Sequence, residues 1–305
     1  MGRTLVTGAT GFVGRRWLER ALEARPGERP IALARKPPTG GDDVGGPDAV
    51  EWIRADLERP EEVRAAIESC RPSHILHLAA VANPRVCAAS PDLARRVNVE
   101  GTRAVLEGAA SCSARVVIVS TAAVYGRAAG RLDETTACEP ASVYGRTKLE
   151  SESLVDVIGV EAVVARPFNH SGSGQSTDYV LPALAARIVA SLRSGEPVVT
   201  GNLFPKRDFL HVDDVVAAYE RLLDGPTEHR VHNVCRGAGL SIGDALAGLQ
   251  RRLGAEAQRT RVAPELARPD DAPSVVGDPG RLCQLGWAPA IDVEGLLDDV
   301  ASPWL

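Results

Sequence analysis

TLVTGATGFVG, residues Thr4–Gly14, reads as a short buried strand, a turn with three glycines and the opening of a helix. Gly8, Gly11 and Gly14 have the spacing G-x-x-G-x-x-G. Glycine allows the tight turn, lets backbone come close to a ligand, and lets helix and strand pack with no side chain between them. A helix start presents backbone N–H groups that have no intrahelical acceptor, at the positive end of the helix dipole. Such a turn favours an anion. The stretch is therefore expected to cradle the pyrophosphate of a dinucleotide and to open a parallel α/β sheet.

The same alternation continues as far as Pro167. Strands are expected at Thr4–Thr7, Ile31–Ala34, Ile75–Ala79, Val116–Ser120 and Ala162–Ala165. Helices are expected at Gly14–Ala24, Glu61–Ser69, Asp92–Ala110 and Val143–Ile158. The strands are continuous apolar runs, as required where helices cover both faces of a sheet. The Gly-, Pro- and Asp-rich segment Lys36–Asp48 reads as a surface loop. Beyond Pro167 the regularity breaks. A helix at Tyr179–Ser194, a polar loop at Gly201–Lys206, a helix at Asp213–Leu223 and a strand at Val231–Val234 are followed by short helices and Pro-rich connections from Gly237 to Leu305. The expected class is α/β: a doubly wound parallel-sheet Rossmann fold with a smaller, interleaved C-terminal substrate-binding domain. Residues 1–169 and 207–234 form the dinucleotide-binding part of that scheme, and residues 170–206 and 235–305 the substrate-binding part.

Composition narrows the function classes. The 305 residues carry a formal net charge of −5 with 25% charged residues, and no basic run suggests nucleic acid. Aromatic residues make up 4%, too few for a base-stacking platform. Apolar stretches such as HILHLAAVA are too short to cross a bilayer, and no basic segment followed by an apolar run suggests secretion. Cys70, Cys87, Cys112, Cys138, Cys235 and Cys283 are scattered without CxxC spacing, which favours reduced thiols and a cytoplasmic chain. His74 and His77 are three apart on one strand and so face opposite sides. No metal site is expected, and His77 reads as a core or relay residue.

The reactive pattern is VYGRTKLE, in which Tyr144 and Lys148 are one helical turn apart. Side chains four apart share a helix face, so an ammonium lies beside a phenol and favours its ionised form. Such a phenol can give or take a proton near neutral pH. With a dinucleotide cradle, this spells hydride transfer coupled to proton transfer. The end of the second strand carries Arg35 and Lys36, with no acid before Asp42. A carboxylate there would bind ribose hydroxyls, whereas a guanidinium pairs with a 2′-phosphate, so NADPH is expected over NADH. Asp56 is either a strand-end carboxylate meeting the adenine or a helix N-cap.

TGATGFVG, DLERPEEV, HLAAVANP, VNVEGT, STAAVYG, YGRTK, ARPFN, KRDFLHVDDV and a late RPDDAP occur in that order along almost the whole chain. The series resembles the extended short-chain dehydrogenase/reductases, the NAD-dependent epimerase/dehydratase group that acts on nucleotide-activated sugars. That resemblance implies that Tyr144 is the acid/base, that Lys148 tunes it and binds the nicotinamide ribose, that Thr121 holds the sugar oxygen, and that Asn98 supports a proton relay. It implies cofactor contacts from Gly8, Thr10, Gly11, Phe12, Val13 and Gly14 of the turn, and from Arg35, Lys36, Asp56 and Leu57. Further cofactor contacts would come from Leu78, Ala79, Ala80, Val119, Arg166 and Pro167. The implied substrate contacts are Val81, Asn83, Arg85, Thr121, Ala122 and Ala123, with Asn169, Arg207 and Arg268 on the diphosphate. Two such chains would pair through a four-helix interface as a homodimer.

Within the group, 4,6-dehydratases carry a carboxylate within two residues of the threonine, where this chain has Ala122 and Ala123. Neither can move a proton, so dehydration is disfavoured. RPFNHSGSGQ (Arg166–Gln175) resembles the GDP-mannose 4,6-dehydratase and GDP-4-keto-6-deoxy-mannose reductase branch, although Ser173 stands where a proline is usual. The expected activity is NADPH-dependent 4-ketoreduction of a nucleotide-linked 4-keto-6-deoxyhexose, with GDP the favoured nucleotide, in deoxysugar biosynthesis. An NAD-retaining 4-epimerase is the alternative. A non-catalytic NADP-sensing protein is disfavoured because Tyr144 and Lys148 are both present.

Overall fold

The computed structural model describes residues 3–38, 44–46, 48–225, 227–266 and 272–305. In chain order the elements are β1 (Thr4–Thr7), α1 (Phe12–Ala24), β2 (Ile31–Ala34), β3 (Glu51–Arg54), α2 (Pro60–Cys70), β4 (His74–His77), α3 (Pro84–Ala89) and α4 (Pro91–Arg95). They continue with α5 (Gly101–Cys112), β5 (Arg115–Val119), β6 (Gly130–Leu132), α6 (Val143–Ile158), β7 (Ala162–Pro167), β8 (Asn169–Ser171), α7 (Val180–Ser194), β9 (Val198–Thr200) and β10 (Lys206–His211). The chain ends through α8 (Val212–Leu223), β11 (Val231–Val234), β12 (Gly239–Ser241), α9 (Ile242–Arg252), β13 (Thr260–Val262), β14 (Ser274–Gly277), α10 (Gly280–Gln284) and α11 (Val293–Ala301). No helix among the described residues is long and apolar enough to cross a membrane.

The chain forms two compact units. One comprises Met1–Arg127, Thr136–Pro167 and Val216–His232, and the other Ala128–Thr135, Phe168–Val215 and Asn233–Leu305. The first is built on a seven-stranded sheet in the order β11-β7-β5-β4-β1-β2-β3, with β1, β2, β3, β4, β5 and β7 parallel. This is the doubly wound α/β fold. The chain runs from β1 outward to β3, then returns to place β4 on the other side of β1. That reversal makes the C-terminal ends of β1 and β4 the switch point at which open sheets bind ligands.

Burial explains why these strands form. Leu5, Ile31, Ile75, Val116 and Ile118 are wholly buried beside Val63 and Ile67 of α2 and Val105 and Leu106 of α5. Each such side chain contributes about 1.5–3 kcal/mol by leaving water. Two expectations need correction. Glu51–Arg54 is a strand that the sequence reading left out, because its ends are polar and none of its four residues is fully buried. The long helix expected at Asp92–Ala110 is interrupted by a π-turn at Arg96–Glu100, between α4 and α5.

The second unit holds a sheet in the order β12-β10-β14-β6, with β8 paired to β10, over a core that includes Leu184, Ile188, Phe209, Leu246, Leu249 and Leu297. Its β10 is anchored by buried Asp208, which accepts from the backbone N–H groups of Arg236 (2.8 Å), Gly237 (2.8 Å) and Gly277 (3.3 Å). Burial pushes that carboxyl up, and the three N–H groups oppose it.

Candidate active site

The glycine turn follows β1 at the switch point of the first unit. Gly8 has φ +70, and a Cβ there would lie 2.8 Å from the Ala79 nitrogen, just past β4. A Cβ on Gly14 would meet the Gly8 carbonyl oxygen and lie 2.8 Å from the Ala9 Cα. Only bare backbone fits at both places. Thr10 and Gly11 are exposed and Phe12 and Val13 half-buried where α1 begins. The turn fits a dinucleotide pyrophosphate.

At the far ends of β2 and β3, Arg35, Arg54, Asp56, Arg59 and Glu62 line a cavity of about 410 Å³. Arg59 pairs with Glu62 at 2.8 Å, whereas Arg35 and Arg54 have no ion-pair partner among the described residues. Lys36 is exposed beside Arg35. The cavity thus sets three guanidinium groups against two carboxylates. Asp56 is not a helix cap: α2 starts at Pro60 with Arg59 at the cap, and Asp56 accepts from the Glu58 N–H at 3.1 Å. Its strand-end alternative stands. Leu57 is 8% exposed and packs on Gly101, where a Cβ would lie 2.9 Å from its own Cβ.

Tyr144 is the second residue of α6, whose start is capped by Ser142 accepting from the Gly145 N–H at 3.0 Å. A side chain on Gly145 would come within 2.7 Å of the Ala123 carbonyl oxygen. The bare first turn of α6 therefore lies against the 3-10 turn Ala122–Tyr125 that follows Thr121. Thr121 caps that turn, its Oγ1 accepting from the Ala123 N–H at 3.2 Å, which leaves the hydroxyl hydrogen to donate elsewhere. Lys148 is 2% exposed. Burial pulls its pKa down to about 8, with Glu152 acting the other way. Tyr144 thus has a buried lysine one turn further along α6 and lies at the N-terminal end of that helix.

This burial has a consequence for stability. A lysine at about 8 in the folded chain and 10.5 when free binds its proton more weakly after folding. The contribution of Lys148 to stability is lowest below about pH 8 and recovers as the pH climbs toward 10.5, a span worth about 3 kcal/mol. Denaturant unfolding of the parent and of Lys148→Met should show the parent gaining on the variant over that window. Parallel profiles would contradict it.

Asn98 lies in the π-turn, where the ordinary helical ladder is broken, and π-turns of this kind recur at functional sites. Its Oδ1 accepts from the Val81 N–H at 2.7 Å, and its Nδ2 donates to the Val81 carbonyl (3.2 Å) and to Thr147 Oγ1 (2.9 Å). Its carbonyl accepts from the Thr102 and Ser151 hydroxyls at 2.6 and 2.7 Å. Asn98 therefore ties the segment after β4 to α6. Because Thr102 Oγ1 donates to that carbonyl, it accepts from His77 Nε2 at 2.9 Å, and His77 Nδ1 accepts from Thr7 Oγ1 at 2.7 Å. The line ends on the Ala79 N–H, bonded to Thr7 Oγ1 at 3.1 Å. Backbone groups at both ends leave no outlet for a proton. Burial, with the charge of Lys148 added, lowers the His77 pKa to about 3. His77 is a core residue.

The remaining positions divide by neighbourhood. Leu78, Ala79, Ala80 and Val81 follow β4 and are half-buried, Val119 ends β5, and Ala122 and Ala123 follow Thr121. Asn83 caps α3 by accepting from the Arg85 N–H at 2.9 Å, and Arg85 is exposed. Pro167 ends β7, but the Arg166 guanidinium is bound to Glu152 and Tyr125 and so offers a ligand little beyond backbone. Asn169 and Arg207 lie in the second unit on the paired strands β8 and β10. Asn169 Nδ2 donates to the Asp208 carbonyl (3.4 Å), and Arg207 Nη1 to the Lys206 carbonyl (2.7 Å). Arg268 and Asp42 lie outside the described residues, as do several residues of the Lys36–Asp48 loop.

The profile of the NAD dependent epimerase/dehydratase family matches residues 4–235. The chain belongs to this family. GDP-6-deoxy-D-mannose reductase of Pseudomonas aeruginosa is 30% identical over 99% of this chain and 97% of its own length. Among solved structures, RMD from Pseudomonas aeruginosa complexed with NADPH matches with TM-score 0.81 at 28% identity, covering 100% of this chain and 99% of that one. UDP-glucose 4-epimerase of Thermus thermophilus in complex with NAD matches with TM-score 0.84 at 28% identity, covering 98% of both chains. Similar proteins thus include a reductase and an epimerase by name, and the nicotinamide cofactor is NADPH in the RMD structure and NAD in the epimerase structure.

Sequence reading missed three features of the site. Arg54 escaped because β3 was not recognised, and Arg59, at the start of α2, because only the cavity shows it beside Arg35 and Arg54. Gly145 was hidden within a helix, where glycine has no obvious purpose until its contact with Ala123 is seen. Glu152 continues the four-residue spacing of Tyr144 and Lys148, a signal present in the sequence, yet a carboxylate there reads as solvated.

Proposed function

We propose that the chain is an NADPH-dependent 4-ketoreductase acting on a nucleotide-linked 4-keto-6-deoxyhexose, with GDP the favoured nucleotide. The observation that carries this reading is the first turn of α6 packed on the turn after Thr121, with buried Lys148 one turn beyond Tyr144. The nicotinamide, when bound, supplies the hydride that reduces the C4 ketone. Tyr144 gives its phenolic proton to the C4 oxygen, and Lys148 offsets the charge that this leaves on the phenol. Thr121 donates its free hydrogen to the same oxygen, which stabilises negative charge as it grows there. The glycine turn holds the pyrophosphate. Ala122 and Ala123 supply no second acid or base, which speaks against 4,6-dehydration. For the second unit, the reading keeps Asn169, Arg207 and Arg268 as diphosphate-binding residues.

Arg35 and Arg54, without ion-pair partners in their cavity, support NADPH over NADH. Arg35→Glu should lower kcat/KM with NADPH by about 10- to 100-fold, the scale of a charge-assisted hydrogen bond, while the value with NADH changes far less. Equal losses with the two cofactors would argue against a 2′-phosphate at this place.

The substrate is tested by a panel of 4-keto-6-deoxyhexoses on GDP, dTDP, UDP and CDP, each with NADPH and NADH. Net loss of reduced-cofactor absorbance is expected, fastest with GDP. Cofactor that stays bound through purification and cycles without net loss would instead support the 4-epimerase. The same reading assigns residues 1–169 and 207–234 mainly to cofactor and 170–206 and 235–305 to substrate, with Asn169 and Arg207 of the first set as the exceptions that bind the substrate diphosphate. It holds the chain to be a cytoplasmic homodimer paired through helices including α5 and α6. All six cysteines are free thiols, which fits that compartment.

A further inference from the structure

The carboxylate of Glu152 joins three elements of the first unit. It lies on α6 one turn beyond Lys148 and two beyond Tyr144, and is 8% exposed. Oε1 accepts from Ser120 Oγ and from Arg166 Nε (3.1 Å), and Oε2 from Arg166 Nη2 (2.7 Å). Ser120 is the chain neighbour of Thr121. Arg166, on β7, also donates from Nη1 to the Tyr125 hydroxyl at 3.2 Å, with its guanidinium carbon 5.1 Å from the centre of that ring. Tyr125 belongs to the turn that Thr121 caps. The carboxylate is thus linked to the Thr121 segment twice, through Ser120 on the strand side and through Arg166 and Tyr125 on the turn side.

The charges nearby are few. His77 on β4 is neutral, and the Cys138 thiol near Arg166 is pushed up by burial. Arg166 and Lys148 are two buried cations, and among the described residues Glu152 is the carboxylate that acts on Lys148. A buried ion pair adds little stability as a rule, so its presence here asks for another use.

We infer that Glu152 is a positioning residue for the reaction: it locks the Thr121 segment to the helix carrying Tyr144 and Lys148, and its charge holds buried Lys148 in the ammonium form. The inference rests on the roles given above to Tyr144, Lys148 and Thr121.

The chain has three lysines, Lys36, Lys148 and Lys206, and the other two are exposed. Lysine labelled with ¹³C at Cε therefore gives three separable NMR titrations in the full chain, without substrate or cofactor. In the parent, Lys148 should titrate near 8. Glu152→Gln keeps the shape and an acceptor for Ser120, and should lower that midpoint by about one unit. It also leaves Arg166 buried without its anion, a loss that can unfold a protein. Glu152→Gln combined with Arg166→Gln removes both charges and keeps the downward shift. Arg166→Gln alone should leave the midpoint no lower than in the parent, because Glu152 keeps its charge. A merely structural pair would give the same change in both variants. Ser120→Ala should lower kcat about tenfold with little change in KM, the mark of lost alignment rather than lost binding.

A Lys148 midpoint that stays at the parent value in Glu152→Gln, or in the double variant where the single does not fold, would overturn the inference. Parent-level kcat in Ser120→Ala would overturn its alignment half. Full turnover in Tyr144→Phe would sink the acid assignment instead, and the lysine titrations would still decide on Glu152.

Discussion

Tyr144→Phe should cut turnover by about two to four orders of magnitude, the scale of general acid catalysis, and leave NADPH affinity near the parent value. The substitution removes one hydroxyl from the first turn of α6. The ring, the Ser142 cap and the contact of Gly145 with Ala123 do not depend on that hydroxyl. Lys148 stays buried, and the glycine turn and the basic cavity at Arg35 and Arg54 are untouched. Binding and chemistry should therefore separate cleanly. Cofactor affinity by fluorescence and single-turnover reduction of the ketone measure the two. Near-normal turnover would remove Tyr144 from the reaction, and a large loss of affinity would show that the phenol acts on the cofactor rather than on the ketone.

Gly14→Val should weaken NADPH binding by about 30- to 150-fold, equivalent to about 2–3 kcal/mol, the usual cost of forcing bulk into a filled space. Even the first carbon of the new side chain would collide with the Gly8 carbonyl, and Ala9 Cα lies 2.8 Å away. Both belong to backbone, which cannot turn aside as a flexible side chain could. The turn must move, and its N–H groups move with it. Gly225→Ala is the matching control, since a Cβ there meets nothing within 4 Å. Calorimetric titration with NADPH should separate the two variants. Parent-like affinity in Gly14→Val would mean that the pyrophosphate does not depend on this turn.

Both variants target features legible in the sequence, and the reason is physical. β1, β2, β4, β5 and β7 are short apolar runs because helices cover both sheet faces, and the glycines are fixed by contacts that admit no Cβ. Strand ends were harder to read. Ala79 and Ser120 fall just beyond β4 and β5, where the chain leaves the sheet to approach Gly8 and to enter the turn at Thr121. β3 was illegible because an edge strand with glutamate and arginine at its ends lacks an apolar signature. The π-turn at Arg96–Glu100 was illegible too: the Asn98 carbonyl within it accepts from Ser151, 53 residues away, a partner that no local pattern reveals. Glu152 shows the same limit. Its spacing was visible, but only its burial with Ser120 and Arg166 separates it from an ordinary surface glutamate.

The central claim is a net, one-way reduction at C4 with a proton from Tyr144, and the fate of a labelled hydride tests it most directly. NADPH deuterated at the nicotinamide C4 would be incubated with a GDP-linked 4-keto-6-deoxyhexose, and the product followed by NMR. One deuterium at the sugar C4 for each NADPH oxidised is the expected result. A product with no deuterium at C4 and no NADPH consumed, or a sugar merely inverted at C4 with cofactor still bound, would contradict it.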